Sequence, residues 1–174
     1  MSNTMIIQAS AYSPSSDVHY TKPKINQAGG KSVGILNKNS MKSTYISTPL
    51  MLTWGVNEND FEGSGNKTYD MSLQFPAPEW SSPETDAFLA SMIEFEAKIK
   101  ADAITYSKEW MNKGKMSPEV IDALFTPMLR YPKDKETGEA DLTRPPCLRI
   151  KLPVWDGEFK AELYDTSSNA IYPN

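Results

Sequence analysis

The chain has 174 residues, which suits one domain that buries about two-thirds of the surface its unfolded form exposes. Its hydrophobic content is 39%, its mean hydropathy is −0.50 and it contains 13 prolines, so part of the chain should lie outside a core. The net charge of −4 does not favour nucleic acid as a partner, and the absence of any run of about 18 apolar residues predicts no membrane span.

Two residues limit the catalytic and metal chemistry, because Cys147 is the only cysteine and His19 the only histidine. One cysteine forms no internal disulfide, and the pair cannot supply the ligands of a Cys/His zinc site. A Ser-His-Asp or Cys-His enzyme would need His19, which lies in a polar stretch near the N-terminus. We therefore expect no catalytic residues, no metal and no cofactor, and a protein that is not an enzyme.

The first residues, MSNTMIIQASAYSPSSD, lack the basic and apolar regions of a secretory signal peptide. Together with the single cysteine, this predicts an intracellular protein that is not secreted. Charge is spread unevenly along the chain: residues 1–50 carry +4, residues 51–104 carry −7 and residues 105–174 carry −1. The basic first part leaves an interaction with nucleic acid open despite the overall acidity.

Residues 1–17 are rich in Ser and show little periodicity, which predicts a flexible N-terminal segment before a single domain over residues 18–174. Within residues 18–37, short β-prone pieces around Gly29-Gly30 predict a strand or small hairpin.

Two alternating stretches then predict a long hairpin with a loop at residues 57–66. In STYISTPLMLTWGV (43–56), Pro49 indicates an edge position or a bulge. The apolar residues of this stretch should share one face: Ile46, Leu50, Leu52, Trp54 and Val56. In KTYDMSLQF (67–75) the inward residues are Tyr69, Met71, Leu73 and Phe75.

The strongest helix signal begins at Ser82, a suitable N-cap, with Pro83 at the first helical position and acidic residues following it. An apolar stripe about thirty residues long then runs to Gly114, where the helix should end. Its members are Phe88, Met92, Phe95, Ile99, Ala103, Tyr106 and Trp110. Such a stripe is typical of a core or of a contact with another protein or a second copy of the chain. Ser117-Pro118-Glu119 starts a shorter helix that ends before Pro127.

This order of elements predicts a β-rich α+β domain. Five strands with the long helix between the third and the fourth is the layout of an OB-fold, so we expect a five-stranded OB-like barrel or curled sheet.

The last hairpin is predicted from LRIKLPVWDGEFKAELYD, residues 148–165, around Asp156-Gly157. The expected core pairs are Val154 with Phe159, Leu152 with Ala161 and Ile150 with Leu163. The other face would pair Trp155 with Glu158, Lys151 with Glu162 and Arg149 with Tyr164. A two-residue turn would place Pro153 where it removes a ladder hydrogen bond, so a wider loop over residues 155–158 is favoured.

The polar face of this hairpin mixes cations with aromatic rings, as proteins that bind single strands do. Phosphates would be met by Arg149, Lys151 and Lys160, with Lys133, Lys135 and Arg144 from the preceding loop. Bases would stack on Trp155, Tyr164 and Tyr45. The competing interpretation is a solvated surface, since Lys151–Glu162 would be an ordinary ion pair and Lys133 and Lys135 alternate with acidic residues.

The stretches STPLMLTWGV, YDMSLQFP and RPPCLRIKLPVWDGEFKAELYD, with the capped helix between them, resemble an uncharacterised family of nucleo-cytoplasmic large DNA viruses. That family is related to OB-fold single-stranded-DNA-binding proteins, and the resemblance covers roughly residues 18–172. The most comparable element is Pro146 with the alternation Leu148, Arg149, Ile150 and Lys151. The resemblance implies a non-enzymatic viral protein of DNA replication, repair or packaging in the host cytoplasm, nucleus or viral factory, or inside the virion.

Two hypotheses of different classes follow. The first is a protein that binds single-stranded DNA or another single-stranded nucleic acid. The second is a structural or interaction protein of the virion or replication complex, which would contact a viral protein or a second copy through the long helix and would not bind nucleic acid by itself.

Overall fold

The computed structural model describes residues 5–60 and 67–171. The chain forms two compact units, each built of two separate stretches. The helical unit comprises residues 1–50 and 81–128, and the sheet unit comprises residues 51–80 and 129–174. Each unit is completed by a second stretch far along the chain, which patterns in neighbouring residues do not reveal. The sequence predicted one domain over residues 18–174.

Among the described residues the helical unit contains four α-helices and seven short strands. The helices are α1 (Pro14–Asp17), α2 (Pro83–Thr105), α3 (Ser107–Met111) and α4 (Pro118–Leu124). The strands are β1 (Ile6–Gln8), β2 (Val18–Tyr20), β3 (Lys24–Ile25), β4 (Lys31–Ser32), β5 (Ile35–Asn37), β6 (Lys42–Ser43) and β7 (Tyr45–Ser47). They form three small sheets, in which β1 pairs with β7, β3 with β4, and β5 lies between β2 and β6. The β3–β4 hairpin around Gly29 is the one that the sequence predicted.

The sheet unit has six strands within its described part: β8 (Leu52–Asp60), β9 (Lys67–Gln74), β10 (Leu129–Arg130), β11 (Cys147–Leu152), β12 (Val154–Trp155) and β13 (Glu158–Phe159). Four of them form a sheet in the order β10-β11-β9-β8, and β12 and β13 form a separate hairpin. The protein is therefore of a mixed α and β class, as expected from the sequence. The described strands do not close into a barrel, so the OB-like barrel is not confirmed.

The N-terminal segment is packed against α2 in the structure, whereas its composition predicted flexibility. Tyr12 is buried and its ring meets that of Phe95 edge-on at 6.1 Å between centroids. The backbone N–H of Ser15 donates to the Glu94 carboxylate at 3.0 Å. Burial raises the pKa of Tyr12 to about 12, with Asp17 and Glu94 adding to the effect. A few apolar residues separated by Ser and other polar residues can thus anchor a segment whose average composition is polar. The first four residues of the predicted flexible segment lie outside the described residues.

Helix α2 begins where the sequence predicted. Ser82 and Thr85 form a reciprocal capping box, in which the Ser82 hydroxyl accepts from the Thr85 N–H at 3.2 Å and the Thr85 hydroxyl accepts from the Ser82 N–H at 2.9 Å. Pro83 takes the first helical position. Three members of the predicted apolar stripe, Phe88, Met92 and Ala103, are buried within the chain.

The continuous helix to Gly114 was a wrong expectation. The helix breaks at Tyr106, and α3 ends at Met111, where Asn112 caps it in the left-handed conformation (φ +54°). Asparagine sometimes takes the place of glycine in that role, so the helix stops before Gly114.

Strands β8 and β9 form the long antiparallel hairpin that alternation predicted. Residues 57–60, which were expected in the loop, continue β8, and residues 61–66 lie outside the described residues.

The single apolar face expected for residues 46–56 does not continue through β8, because Leu52 lies opposite Gln74 and Val56 opposite Met71. Thr53 pairs with Leu73 and Val56 with Met71, so Trp54 and Gly55 both oppose Ser72. This bulge, with Gly55 at φ +93°, breaks the alternation. Leu52 is 60% exposed and Trp54 80% exposed, and Leu50 is exposed as well.

The partner of β11 also differs from the expectation. Ile150 lies opposite Met71 and Leu152 opposite Tyr69, in place of Leu163 and Ala161. The apolar rows of β9 and β11 therefore share one face of the sheet, and their polar rows share the other.

The final hairpin is shorter and tighter than expected. Val154–Phe159 and Trp155–Glu158 pair as predicted, but the turn has two residues, Asp156 and Gly157, at φ +54° and +77°. Positive φ at both positions is typical of the type I′ turn that fits the twist of a two-residue hairpin. Pro153 accepts from the Lys160 N–H at 2.9 Å and has no N–H to return, so the strand pairing ends there.

None of the helices in the described parts of the chain is long and apolar enough to cross a membrane.

Candidate nucleic-acid interface

The polar face of the four-stranded sheet is organised around Asp70, which is only 5% exposed. Arg149 forms an ion pair with it, and Asn59 donates to its carboxylate at 2.7 Å. Asn57 lies at 3.5 Å from the same carboxylate. The hydrogen bond from Arg149, helped by Asn59 and Asn57, holds the pKa of Asp70 below its usual value against the opposite effect of burial.

Arg149 is therefore committed to a carboxylate within the sheet. Its hydrogen bond with Asp70 also raises the pKa of the guanidinium, as expected for a cation beside a fixed anion. The expected neighbour Tyr164 is not opposite Arg149, since Ser72 occupies that position. The structure does not present Arg149 as a free cation for phosphates.

Lys151 and Trp155 are brought together, in a groove of about 630 Å³ beside the β12–β13 hairpin. Lys151 is exposed and lies opposite Asp70 in register, so the ion pair expected with Glu162 does not form. Trp155 is 66% exposed at the end of β12. The groove lining is Lys67, Thr68, Tyr69, Lys151, Leu152, Pro153, Val154, Trp155 and Gly157.

Two of these groove residues, Lys67 and Tyr69, were missed by the sequence interpretation. Both contact Glu58 on β8: Lys67 at 2.7 Å through an ion pair, and Tyr69 by donating from its hydroxyl at 2.8 Å. The Tyr69 ring also meets Phe159 edge-on at 5.4 Å. Alternation placed Tyr69 among the core residues, and only the pairing of β9 with β11 brings the start of β9 beside Trp155.

Lys160 and Tyr164 lie beyond the turn, in the exposed segment that follows β13 and has no regular strand structure. Lys160 forms an ion pair with Glu158, and the hydrogen bond from Lys160 lowers the pKa of that glutamate. The Tyr164 hydroxyl donates to Glu162 at 3.4 Å, and its backbone bridges to Ala170. Lys160 is therefore partly neutralised, while the ring of Tyr164 stays exposed.

The loop between β10 and β11 carries three further candidates, all exposed: Lys133, Lys135 and Arg144. The loop is folded on itself, because Lys133 bridges to Ala140 and the Asp134 carboxylate accepts from the N–H groups of Glu136 and Thr137 at 2.8 Å each. Within residues 5–60 and 67–171, none of the three cations has an ion pair.

Tyr45 belongs to the helical unit, where it lies on β7 opposite Ile6 and is exposed. The structure does not group it with the candidates of the sheet unit. That unit as a whole carries eight Lys and Arg against thirteen Asp and Glu, a net charge of −5.

The described residues contain no group of three or more His, Cys, Asp or Glu side chains placed to hold a metal ion. Comparison of the chain with protein-family models, with curated proteins and with solved structures gives no match.

Proposed function

We propose that the protein binds single-stranded nucleic acid through the groove of the sheet unit. The observation that carries the proposal is the grouping of Trp155 with Tyr69, Lys67 and Lys151 around one groove. Aromatic rings that stack on bases, beside cations that meet phosphates, are the two components of single-strand binding sites. The groove volume lies in the range of sites that hold small organic ligands, so it suits a few nucleotides.

The charges around the groove determine how strongly the affinity should depend on salt concentration. The sheet unit is acidic, and Lys67 is already paired with Glu58, so few phosphates would be neutralised. With Lys67 and Lys151 alone, the affinity should fall with salt at a logarithmic slope of about −1.4. Participation of Lys133, Lys135 and Arg144 would steepen that slope to about −3.5.

The OB-like architecture and the viral role that the sequence led us to expect are part of the same proposal. The order of two strands, inserted helices and a further strand supports an open, OB-like sheet as its structural basis. The resemblance to a family of large DNA viruses supports a role in replication, repair or packaging within an infected cell or in the virion.

The test is fluorescence anisotropy of a labelled oligo(dT) at about 50 mM salt. We expect a Kd of about 1 μM or tighter, weakened about 5-fold to 100-fold by Trp155→Ala through loss of stacking. Trp80→Ala is the matched control, because Trp80 is another exposed tryptophan of the same unit and does not line the groove. Absence of binding by the unsubstituted chain at this salt, or equal losses in both variants, would contradict the proposal.

A second candidate function, a contact with another protein, is favoured by one specific observation. The apolar side chains Leu52 and Trp54 are exposed on β8, which is the terminal strand of its sheet as far as the described residues extend. An exposed apolar edge strand is a surface that pairs readily with another chain. A partner would use this surface in preference to α2, whose residues Phe88 and Met92 are already buried. Sedimentation analysis of the chain and of Trp54→Ser tests it, with self-association that the substitution abolishes as the supporting result.

A further inference from the structure

The helical unit contains a second groove, unconnected with the proposed function. It has a volume of about 340 Å³ and lies between β2 with its flanking residues and the α2–α3 segment. Its lining combines aromatic rings with lysines, which is the chemistry of a site for a flat ring that carries an anionic group. The residues that the argument uses are Tyr20, Lys22, Lys38, Lys98, Tyr106 and Trp110.

Three aromatic side chains form one wall of this groove. Tyr106 and Trp110 are stacked, with 5.3 Å between ring centroids and 24° between planes. Their spacing of four residues brings them to the same side where the helix passes from α2 into α3. Tyr20 meets Trp110 edge-on at 4.8 Å. Because Tyr106 is 42% exposed, its ring is accessible to a planar ligand.

The carboxylate nearest the rings is already satisfied. Asp102 accepts from the Tyr20 hydroxyl at 2.7 Å and forms an ion pair with Lys98 at 2.9 Å. Burial, followed by the hydrogen bond to Asp102, raises the pKa of Tyr20. The phenol therefore remains a neutral donor that fixes the wall, and Asp102 is screened from an incoming anion by Lys98.

Two lysines of the groove are available to an anion. Lys22 and Lys38 are exposed, and the described part of the chain offers neither of them an ion pair. Lys38 lies at one end of β2, where its N–H donates to the Asp17 carbonyl at 2.7 Å. Lys22 lies beyond the other end, two residues after Tyr20, so the two are separated by about 13 Å along the strand. Glu109 is the one remaining acid of the lining, against these two cations.

From this arrangement we propose that the helical unit binds a mononucleotide, with its base against Tyr106 and Trp110 and its phosphate at Lys22 or Lys38. The volume lies near the lower end of the range for small-ligand sites, which suits a single nucleotide. The rings can stack on any base. The lysines can bind the phosphate, which a neutral nucleoside lacks.

Isothermal titration calorimetry of the full chain tests the proposal with three separate probes: AMP, adenosine and inorganic phosphate. AMP should bind more tightly than either fragment, because only AMP uses both the rings and a lysine. The double variant Lys22→Ala/Lys38→Ala should weaken AMP binding about tenfold or more and leave adenosine binding unchanged. Lys24→Ala is the matched control, since Lys24 is an exposed lysine of the same segment that does not line the groove.

The base contact is tested by Tyr106→Leu, with circular dichroism to check that the variant is folded. Reduced affinity for AMP in the folded variant supports the ring contact. Trp155→Ala should not change AMP affinity, which separates this site from the groove of the sheet unit. The proposal is overturned by the absence of AMP binding at about 1 mM ligand, by phosphate binding as tightly as AMP, or by equal AMP affinity in the double variant and the unsubstituted chain.

Discussion

Arg149 on β11 and Asp70 on β9 form an ion pair that runs diagonally across the polar face of the sheet. In register, Arg149 lies opposite Ser72 and Asp70 opposite Lys151, so the guanidinium reaches one pair along the strand. Asn59 of β8 donates to the same carboxylate. Asp70 therefore links all three long strands, and the arginine that the sequence assigned to phosphates has a structural role.

Replacing Asp70 by Asn should destabilise the protein by about 1 to 2 kcal/mol, because the charge-assisted hydrogen bonds are lost while the shape is kept. The loss is modest since the Arg149 side chain is 35% exposed, and water partly screens the pair. Urea unfolding measures it. Asp60→Asn, an exposed aspartate on β8, is the control and should change the free energy of unfolding by less than about 0.5 kcal/mol. Equal losses in the two variants would contradict the role given to Asp70.

Acid pH should reduce the contribution of Asp70 to the free energy of unfolding. The pKa of Asp70 is lower in the folded state than its unfolded value of about 3.9, so its contribution is present above that value and is lost as the pH falls through the folded pKa. The pKa values of other carboxylates, including Glu58 and Asp165, are also lowered. The difference in unfolding free energy between the unsubstituted chain and Asp70→Asn isolates the Asp70 part. It should be largest above about pH 4 and should shrink below it; a difference that grows towards acid pH would refute this assignment.

Asp70→Asn should also strengthen binding of oligo(dT), if the proposed function is right. The substitution removes one buried negative charge and releases Arg149, which lies on the same strand as Lys151. One added phosphate contact should steepen the logarithmic salt slope by about 0.7. Anisotropy titrations at several salt concentrations measure this slope. An unchanged slope in a folded variant would show that Arg149 stays remote from the strand.

Features that depend on neighbours in the chain could be predicted from the sequence. The N-cap at Ser82, the helical start at Pro83 and a hairpin around Asp156-Gly157 all follow from residues within a few positions of one another, although the turn itself is tighter than the favoured loop over residues 155–158. The partner of β11 could not be predicted in this way. An alternating strand identifies its apolar face, but both Ala161 with Leu163 and Tyr69 with Met71 offer a matching row.

Because the partner of β11 could not be predicted, the candidate site also differs from the expected one. Because β11 pairs with β9, Arg149 meets Asp70, and Lys151 and Trp155 share a groove with Lys67 and Tyr69. A single-residue bulge in β8 also changed the position of a side chain. The bulge at Gly55 separates Trp54 from the apolar row that alternation predicted for it, and leaves its side chain exposed. The alternation of apolar residues runs through Gly55 without a break, so alternation alone did not place a bulge at this position.

Gly157→Ala should weaken the hairpin that carries Trp155. Gly157 has φ +77°, where a Cβ atom costs about 1 kcal/mol even though no other atom lies within 4 Å of it. We expect a lower melting temperature and reduced affinity for oligo(dT), because the strand that ends in Trp155 is held by this turn. Gly114→Ala is the matched control: it too has open space around the added Cβ, and its φ is not positive. It should leave both properties unchanged, so parallel losses in the two variants would count against a turn-specific effect.

Tyr20→Phe should cost about 1 kcal/mol of stability near pH 8, because the hydrogen bond to Asp102 is lost from a partly buried position. The pKa of Tyr20 is raised by burial first and by Asp102 next, so the stabilising effect is complete below the unfolded pKa of about 10 and is lost as the pH rises through the folded pKa. The gap in unfolding free energy between the unsubstituted chain and Tyr20→Phe should therefore narrow only at strongly alkaline pH. Near-ultraviolet absorbance should show one fewer late-titrating tyrosine in the variant. Tyr45→Phe, which alters an exposed tyrosine of the same unit, should leave the unfolding free energy unchanged, and a gap that already closes below pH 10 would contradict the buried hydrogen bond.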